Sequence, residues 1–276
     1  MKTLTKQHLV AYVIVLSGTI MMLAPFYFMF VFATHDNGTI LSVPPPMWFG
    51  GKFMSNLDLL LNKLPYFWHN VWVTFYIAAI TTALQLFFCS LAGFAFSMYD
   101  FKYKGPLFGL LLATMIMPAF LNMIPTVLVM NFLGWLNTTR ALIVPGAVGA
   151  FGIFMMRQYI SSAIPKELVE AARMDGCSEF GIYMRIVAPL IGPAMGTLGL
   201  VTFIGSWNNF MGPLIIMRDM EMFTVPLALR ALQGTGQVPW GAISAGSAIA
   251  VLPLLVLFVI SSRRLIDGLT AGALKG

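Results

Sequence analysis

Six long, mostly apolar windows organise this chain, at residues 9–33, 70–97, 106–131, 141–157, 191–216 and 241–262. Each reads as a helix crossing the roughly 30 Å hydrocarbon core of a bilayer, a distance that takes about 20 residues. The fourth window is the shortest, and Pro145, Gly146, Gly149 and Gly152 make it irregular. Pro118, Pro125, Pro145 and Pro253 lie in or near these windows and predict kinks. Lipid tolerates kinks where neighbouring helices or cavities satisfy the freed carbonyls. Between the windows, 34–69 carries the Pro44-Pro45-Pro46 turn and a short amphipathic stretch near Leu57–Leu64, expected to lie on the membrane or a neighbour. Residues 98–105 and 132–140 are short turns, and 217–240 ends in a flexible tip at Gly234, Thr235 and Gly236. No internal repeat is evident.

Composition sharpens this picture. Hydrophobic residues make up 59% of the chain, above the roughly 45–50% of soluble domains. The fold class is therefore an all-α, polytopic membrane protein with little room for a separate soluble domain. Lys2 and Lys6 precede the first window, as in a signal peptide. The apolar run of about 25 residues exceeds the 7–15 of a signal sequence, and no small-x-small cleavage site follows it, so an uncleaved first helix is expected.

Lys and Arg set the orientation. With the N-terminus inside, Lys2, Lys6, Lys102, Lys104, Arg157, Lys166, Arg173, Arg185, Arg263, Arg264 and Lys275 are cytoplasmic. Only Lys52, Lys63, Arg140, Arg218 and Arg230 then lie outside. Both termini and the 158–190 loop thus face the cytoplasm, and these basic flanks produce the net charge of +6 without a nucleic-acid partner. Cys89 in the second window and Cys177 in a cytoplasmic loop make an implausible disulfide in a reducing compartment.

No acid, base or histidine falls in the middle of an apolar window. Ion-coupled transporters usually place ionisable groups there, because the coupling ion needs a partner; a Na⁺ site built from backbone carbonyls escapes that expectation. Work on a solute is therefore expected to be driven from outside the membrane. Zinc-protease, phosphate-loop and nucleophile-elbow patterns are missing from the sequence. His8, His35 and His69 sit apart at window margins, so neither catalysis nor a metal site is expected.

The most informative stretch is 165–189, PKELVEAARMDGCSEFGIYMRIVAP, with Glu167, Glu170, Asp175, Glu179, Lys166, Arg173 and Arg185 in a chain that is only 9% charged. Pro165 suits a first helical turn, and Glu167 favours the positive end of the helix dipole. Gly176 can stop that helix at positive φ. Ser178 can cap a second helix, running to Ile186 and ending before Pro189. The result is an L. Ile164, Leu168 and Ala172 share a stripe at four-residue spacing, and small Ala171 and Ala172 leave room for a partner. Residue chemistry alone leaves two readings open: a docking surface, or an amphipathic helix lying on the membrane.

Glu170-Ala171-Ala172, Gly176, Ile186 and Pro189 resemble in spacing the EAA loop of binding-protein-dependent ABC importer permeases, with Ala188 where that pattern has leucine. Residues 134–160, 203–216 and 266–276 resemble the carbohydrate branch, in particular the smaller permease subunit of maltose and glycerol-phosphate importers. The resemblance implies a type I permease of six transmembrane helices in the bacterial cytoplasmic membrane. The first helix and outer loop would occupy 1–66, and the permease core 67–262, with its coupling loop at 161–190. A cytoplasmic tail would occupy 263–276.

It also implies partners: a second permease, two cytoplasmic ATPase subunits, an extracytoplasmic solute-binding protein and a sugar. ATP and magnesium would be used by the ATPases, not by this chain. Glu170, Ala171, Ala172, Asp175 and Gly176 would dock on an ATPase, and Gly234, Thr235 and Gly236 would probe the solute-binding protein. For the solute path the polar and aromatic candidates are Asn122, Trp207, Asn208 and Asn209. The asparagines can equally serve interhelical hydrogen bonds. A self-sufficient secondary transporter or channel is the alternative reading.

Overall fold

The computed structural model describes residues 6–234 and 236–273. Helix α1 spans Lys6–Phe32, α2 Phe53–Lys63, α3 Phe67–Met98, α4 Lys104–Ile116 and α5 Met123–Phe132. Next come α6 at Arg140–Gly146, α7 at Ala150–Ala163, α8 at Lys166–Met174 and α9 at Glu179–Ile182. A π-helical turn, Tyr183–Val187, and Ala188–Leu190 lead to α10 at Gly192–Trp207. The series closes with α11 at Met211–Ile216, α12 at Val225–Ala231 and α13 at Trp240–Ala273. The described residues are all helix and connection.

Four helical spans, His8–Phe32, Phe67–Met98, Arg140–Ala163 and Trp240–Ile260, are each long and apolar enough to cross a membrane. Two further pairs reach that length only together: Lys104–Ile116 with Phe120–Phe132, bent by 96°, and Glu179–Leu190 with Gly192–Trp207, bent by 80°. Proline accounts for the first break. Pro118 precedes the short 3-10 turn Ala119–Asn122, and the residue before a proline is pushed out of the helical region.

Three windows differ from expectation. The window 191–216 is interrupted: α10 stops at Trp207, and 211–216 forms the separate α11. The fourth span continues past Arg157 to Ala163, so a cation does lie within an apolar helix. It is accommodated because the Arg157 guanidinium lies 4.2 Å from the Phe108 ring centroid, a cation–π contact. The last helix continues into the expected tail as far as Ala273.

Contacts divide the chain into two units, one comprising Met1–Phe67 with Ala228–Pro253, the other Trp68–Leu227 with Leu254–Gly276. In the first, Asn56 is buried on α2 and its Nδ2 donates to the carbonyls of Ala33 and His35 at 2.9 and 2.8 Å. Leu60 and Leu64 are buried beside it. The amphipathic stretch thus packs on its own chain, stitching the end of α1 in place.

In the second unit, one apolar cluster runs from Cys89, Ile153 and Leu198 through Met156, Ile160 and Tyr183 to Val169 and Ala172. On α3, Thr81, Gln85, Cys89 and Gly93 recur every fourth residue and so share one face. The glycines of α6 and α7 meet that face. A Cβ on Gly146 would lie 2.8 Å from Thr81, on Gly149 2.5 Å from Gln85, and on Gly152 2.8 Å from Cys89. Reciprocally, a Cβ on Gly93 would lie 2.6 Å from Met156 and 2.8 Å from the Arg157 nitrogen.

Glycines at four-residue spacing elsewhere behave differently. Gly105, Gly109, Gly192 and Gly196 have nothing within 4 Å of an added Cβ, because their helix faces point away from the described neighbours. Gly93→Ala is therefore expected to lower stability by about 1–3 kcal/mol, since overpacking against backbone cannot relax. Gly109→Ala should be neutral or stabilising. Thermal unfolding of the two variants in detergent, followed by thiol-reactive dye at the buried Cys89, measures the difference; equal midpoints would contradict this packing.

Candidate functional site

The L-shaped loop is built as its residues require. Gly176 adopts φ +79; its N–H donates to Arg173 O and that of Cys177 to Ala172 O, both at 3.0 Å. This pair of bonds is a Schellman stop, satisfying carbonyls that a helix end leaves open. A Cβ at 176 would meet nothing, so backbone angle, not space, calls for glycine there. Ser178 Oγ then accepts the Gly181 N–H at 3.2 Å, capping α9.

The second arm does not end before Pro189. Proline lacks an N–H and crowds the carbonyl four residues back. The helix widens instead: the Ala188 N–H bonds to Tyr183 O, five residues earlier, and the bend comes at Ile191.

Faces of α8 differ from the expected stripe. Val169 and Ala172, with Ile164 before the helix, are buried in the apolar cluster, while Leu168 is 40% exposed. The three-residue step from Val169 to Ala172 follows the core side better than the four-residue step from Leu168. Ala172 is thus a core contact, leaving Ala171 as the small residue on the open face. Glu170, Ala171, Asp175 and Gly176 are exposed there, and Met174 is 89% exposed.

A polar cavity of about 310 Å³ lies beside this arm, lined by Tyr99, Asp100, Lys166, Glu170, Arg173 and Glu179 among others. Arg173 Nε donates to Glu179 Oε1 at 2.7 Å, bridging the two arms of the L. The Tyr99 hydroxyl donates to Glu179 Oε2, and the Arg173 guanidinium lies 5.1 Å over the Tyr99 ring. Arg173, with Tyr99 adding to it, holds the Glu179 carboxyl below the ordinary carboxylate range. Burial first, and then the Glu179 carboxylate, push the Tyr99 hydroxyl up. Nothing in the sequence ties Tyr99 to Glu179, because 80 residues separate them.

A second cavity, of about 290 Å³, opens midway along α3 and is lined by Thr81, Gln85, Phe151, Thr202, Ser206 and Asn209 with apolar neighbours. Of the four residues expected to line a solute path, this cavity gathers only Asn209. Trp207 is buried, stacked on Phe203 with centroids 5.7 Å apart. Asn208 Nδ2 donates to Ile204 O at 3.0 Å, and Asn122 lies in the 3-10 turn after Pro118. Thr81 and Gln85 were legible as polar residues at four-residue spacing in a wholly uncharged helix; Thr202 and Ser206 repeat that spacing on α10.

Elsewhere, Asn137 at φ +59 accepts the N–H groups of Arg218 and Asp219 on its Oδ1, at 2.9 and 3.1 Å. Its Nδ2 donates to Asp219 Oδ2 at 2.6 Å, which clamps that loop. Gly234 ends a 3-10 turn and Gly236 adopts φ +81; Thr235 lies outside the described residues.

The family described as binding-protein-dependent transport system inner membrane component matches residues 85–270. An arabinooligosaccharides transport system permease protein from Halalkalibacterium halodurans is 37% identical over 211 residues, 76% of this chain and 74% of that one. A trehalose/maltose transport system permease protein from Thermococcus litoralis is 29% identical over 288 residues, covering 98% and 99%. Among solved structures, a bacterial ABC transporter involved in importing the acidic polysaccharide alginate shares the fold. Its TM-score is 0.80 at 21% identity, over 95% of this chain and 98% of that chain.

The depressed Glu179 carboxyl fixes a pH window. Its tie to Arg173 is fully present above the ordinary carboxylate pKa of about 4.3 and is lost as pH falls through the lower folded value. At pH 6, Glu179→Gln should speed amide exchange across 173–181 by about two- to fivefold, in keeping with a half-exposed ion pair. Hydrogen-exchange mass spectrometry reads this directly, and unchanged exchange would remove the bridge from the account.

Proposed function

The chain belongs to the family of binding-protein-dependent transport system inner membrane components, and from this we propose that it is the membrane-spanning permease subunit of an ATP-driven sugar importer. It works in the bacterial cytoplasmic membrane and is not itself a catalyst. Its curated relatives transport arabinooligosaccharides and trehalose/maltose, which supports a saccharide as the solute. A gradient-driven carrier is disfavoured by the same membership.

In this reading the chain crosses the membrane six times, the bent pair within 104–132 giving the third crossing and 192–216 the fifth, with both termini and the 161–190 loop on the cytoplasmic side. The permease core is 67–262, and the segment from 263 onward is cytoplasmic. A second permease completes the pathway, two cytoplasmic ATPase subunits use ATP and magnesium, and a solute-binding protein delivers the solute outside. Gly234, Thr235 and Gly236 are assigned to contact with that binding protein.

One observation carries the coupling role. The inner stripe of α8, Val169 and Ala172, belongs to the same apolar cluster as the membrane helices. Its outer face, Glu170, Ala171, Met174, Asp175 and Gly176, is exposed. A push on that outer face by an ATPase reaches the helix bundle through close-packed side chains, which transmit strain. Glu170 supplies charge and hydrogen bonding to the ATPase, and Gly176 the corner.

Gly176→Pro tests this role. Proline is confined to φ near −65°, far from +79, and it removes the donor to Arg173. The variant should insert in the membrane yet lose ATP-driven uptake at least about tenfold. Glu170→Lys should do likewise while leaving the corner intact. Uptake and ATP hydrolysis by the complete complex in proteoliposomes give the measurement; normal coupled transport in the proline variant would sink the coupling role.

A further inference from the structure

Resting on the permease reading and its orientation, we infer that Arg157 binds the phosphate of an anionic phospholipid in the cytoplasmic leaflet, with Lys102 as the second cation of the site.

Arg157 lies in the apolar span Arg140–Ala163 and is half-buried. Among the described residues it makes no ion pair, whereas Lys104 pairs with Asp100 at 3.2 Å and Arg173 with Glu179 at 2.7 Å. Its guanidinium makes one hydrogen bond there, from Nη1 to Gln158 Oε1 at 3.1 Å. A guanidinium carries five N–H donors in a planar fork. The Phe108 ring, 4.2 Å away, attracts the cation but supplies no oxygen to those donors. An uncompensated charge within a membrane span is costly, and the pair of oxygens on a phosphate matches the fork.

Helix geometry sets the depth. The Arg157 backbone packs on Gly93, where an added Cβ would stand 2.8 Å from its nitrogen, and α7 runs about 9 Å further to Ala163. The side chain reaches Phe108 in the second turn of α4, about 6 Å from the start of that helix at Lys104. In the proposed orientation this start is cytoplasmic. Long cationic side chains near helix ends extend to the headgroup level in this way.

Rings surround the group and lead to the second cation. Phe154 stacks on Phe108 at 6.5 Å, and Phe96 lies 5.4 Å from Phe108 and 5.6 Å from Phe101. Lys102 follows, with its Nζ 4.9 Å over the exposed Tyr103 ring. Tyr103 begins α4 at φ +67, a costly angle for a bulky residue and an easy one for glycine. Tyrosine there places a ring at the membrane–water interface, where such rings concentrate.

The surroundings favour a lipid over a protein carboxylate. Leu107 and Leu110 on α4 are 48% and 65% exposed, so the helix beside Arg157 offers apolar surface to acyl chains, unlike the polar outer face of α8. Basic groups at the cytoplasmic face attract anionic headgroups.

The test uses the complete complex, purified through this chain and placed in nanodiscs. The probe is phosphatidylglycerol with a photoreactive diazirine on its headgroup, and cross-linked peptides are mapped by mass spectrometry. Unlabelled phosphatidylglycerol, phosphatidylcholine and inorganic phosphate serve as competitors. The variants are Arg157→Gln, Arg157→Lys and Lys102→Gln, with Arg185→Gln removing an exposed base elsewhere in the loop.

Labelling is expected within 99–110 and 151–160, displaced by phosphatidylglycerol and not by phosphatidylcholine. Arg157→Gln should lower it about five- to tenfold, the share of one charge-assisted contact, and Lys102→Gln about two- to fivefold. Arg157→Lys should stay within about twofold of the parent, because the charge remains, and Arg185→Gln should match the parent. Lys102 is exposed on a turn, so its variant reads the site even where Arg157→Gln assembles poorly. Equal losses in Arg157→Gln and Arg185→Gln overturn the site, as does equal displacement by the two lipids or absence of labelling in the parent. Displacement by inorganic phosphate alone overturns the lipid as its source. ATP-driven uptake by the parent is read separately: its absence overturns the permease reading, and uptake without this labelling overturns the lipid site alone.

Discussion

The second unit is organised around one continuous apolar contact, the cluster that joins the long apolar helices to the arm α8. Val169 and Ala172 are not a surface laid on the bundle; they pack with Phe94, Met98, Met156, Ile160 and Tyr183. Tyr183 closes the join with a buried hydrogen bond, its hydroxyl 2.6 Å from Ser90 Oγ on α3. Burial of such a group demands a partner, so this bond also fixes how the second arm of the L sits on the helix that lines the central cavity. The arm and the cavity are thereby placed on one rigid framework within the same unit.

That framework is asymmetric in a useful way. Along the Thr81–Gln85–Cys89–Gly93 face, helices approach until only glycine fits, and the glycines alternate between partners: 146, 149 and 152 on one side, 93 on the other. Close backbone approach substitutes for the hydrophobic driving force that lipid cannot supply. Thr81 and Gln85, which meet Gly146 and Gly149 on this face, also border an open volume. The break between α6 and α7, residues 147–149, lies beside that volume. An irregular helix in a membrane is tolerated where it borders such a space.

Much of this was legible in the chain. The Schellman glycine at 176, the Ser178 cap and the two arms follow from local chemistry, because a helix stop and a helix cap are decided within a few residues. Span boundaries were legible where apolar runs are uninterrupted, as in α3. They were misjudged where a charge or proline has a tertiary answer. Arg157 ends an apolar window in the sequence but sits within a helix once Phe108 faces it. Pro189 predicts a stop, but a π turn carries the helix past it. Trp207, conspicuous as an aromatic beside two amides, turned out to be core.

The sequence by itself determined the class of molecule and the corner of the L-shaped loop, since these rest on composition and on bonds between near neighbours. Tertiary structure decided which face of each element matters. Whether Leu168 or Val169 points inward, whether Tyr99 reaches Glu179, and whether Thr81 and Gln85 border a cavity all depend on helices far apart in the chain. Periodicity fixes a helix but not its rotation about its own axis when nearly every side is apolar. In α3 the residues are hydrophobic all round, so only the packing of its glycine-bearing neighbours could select the working face.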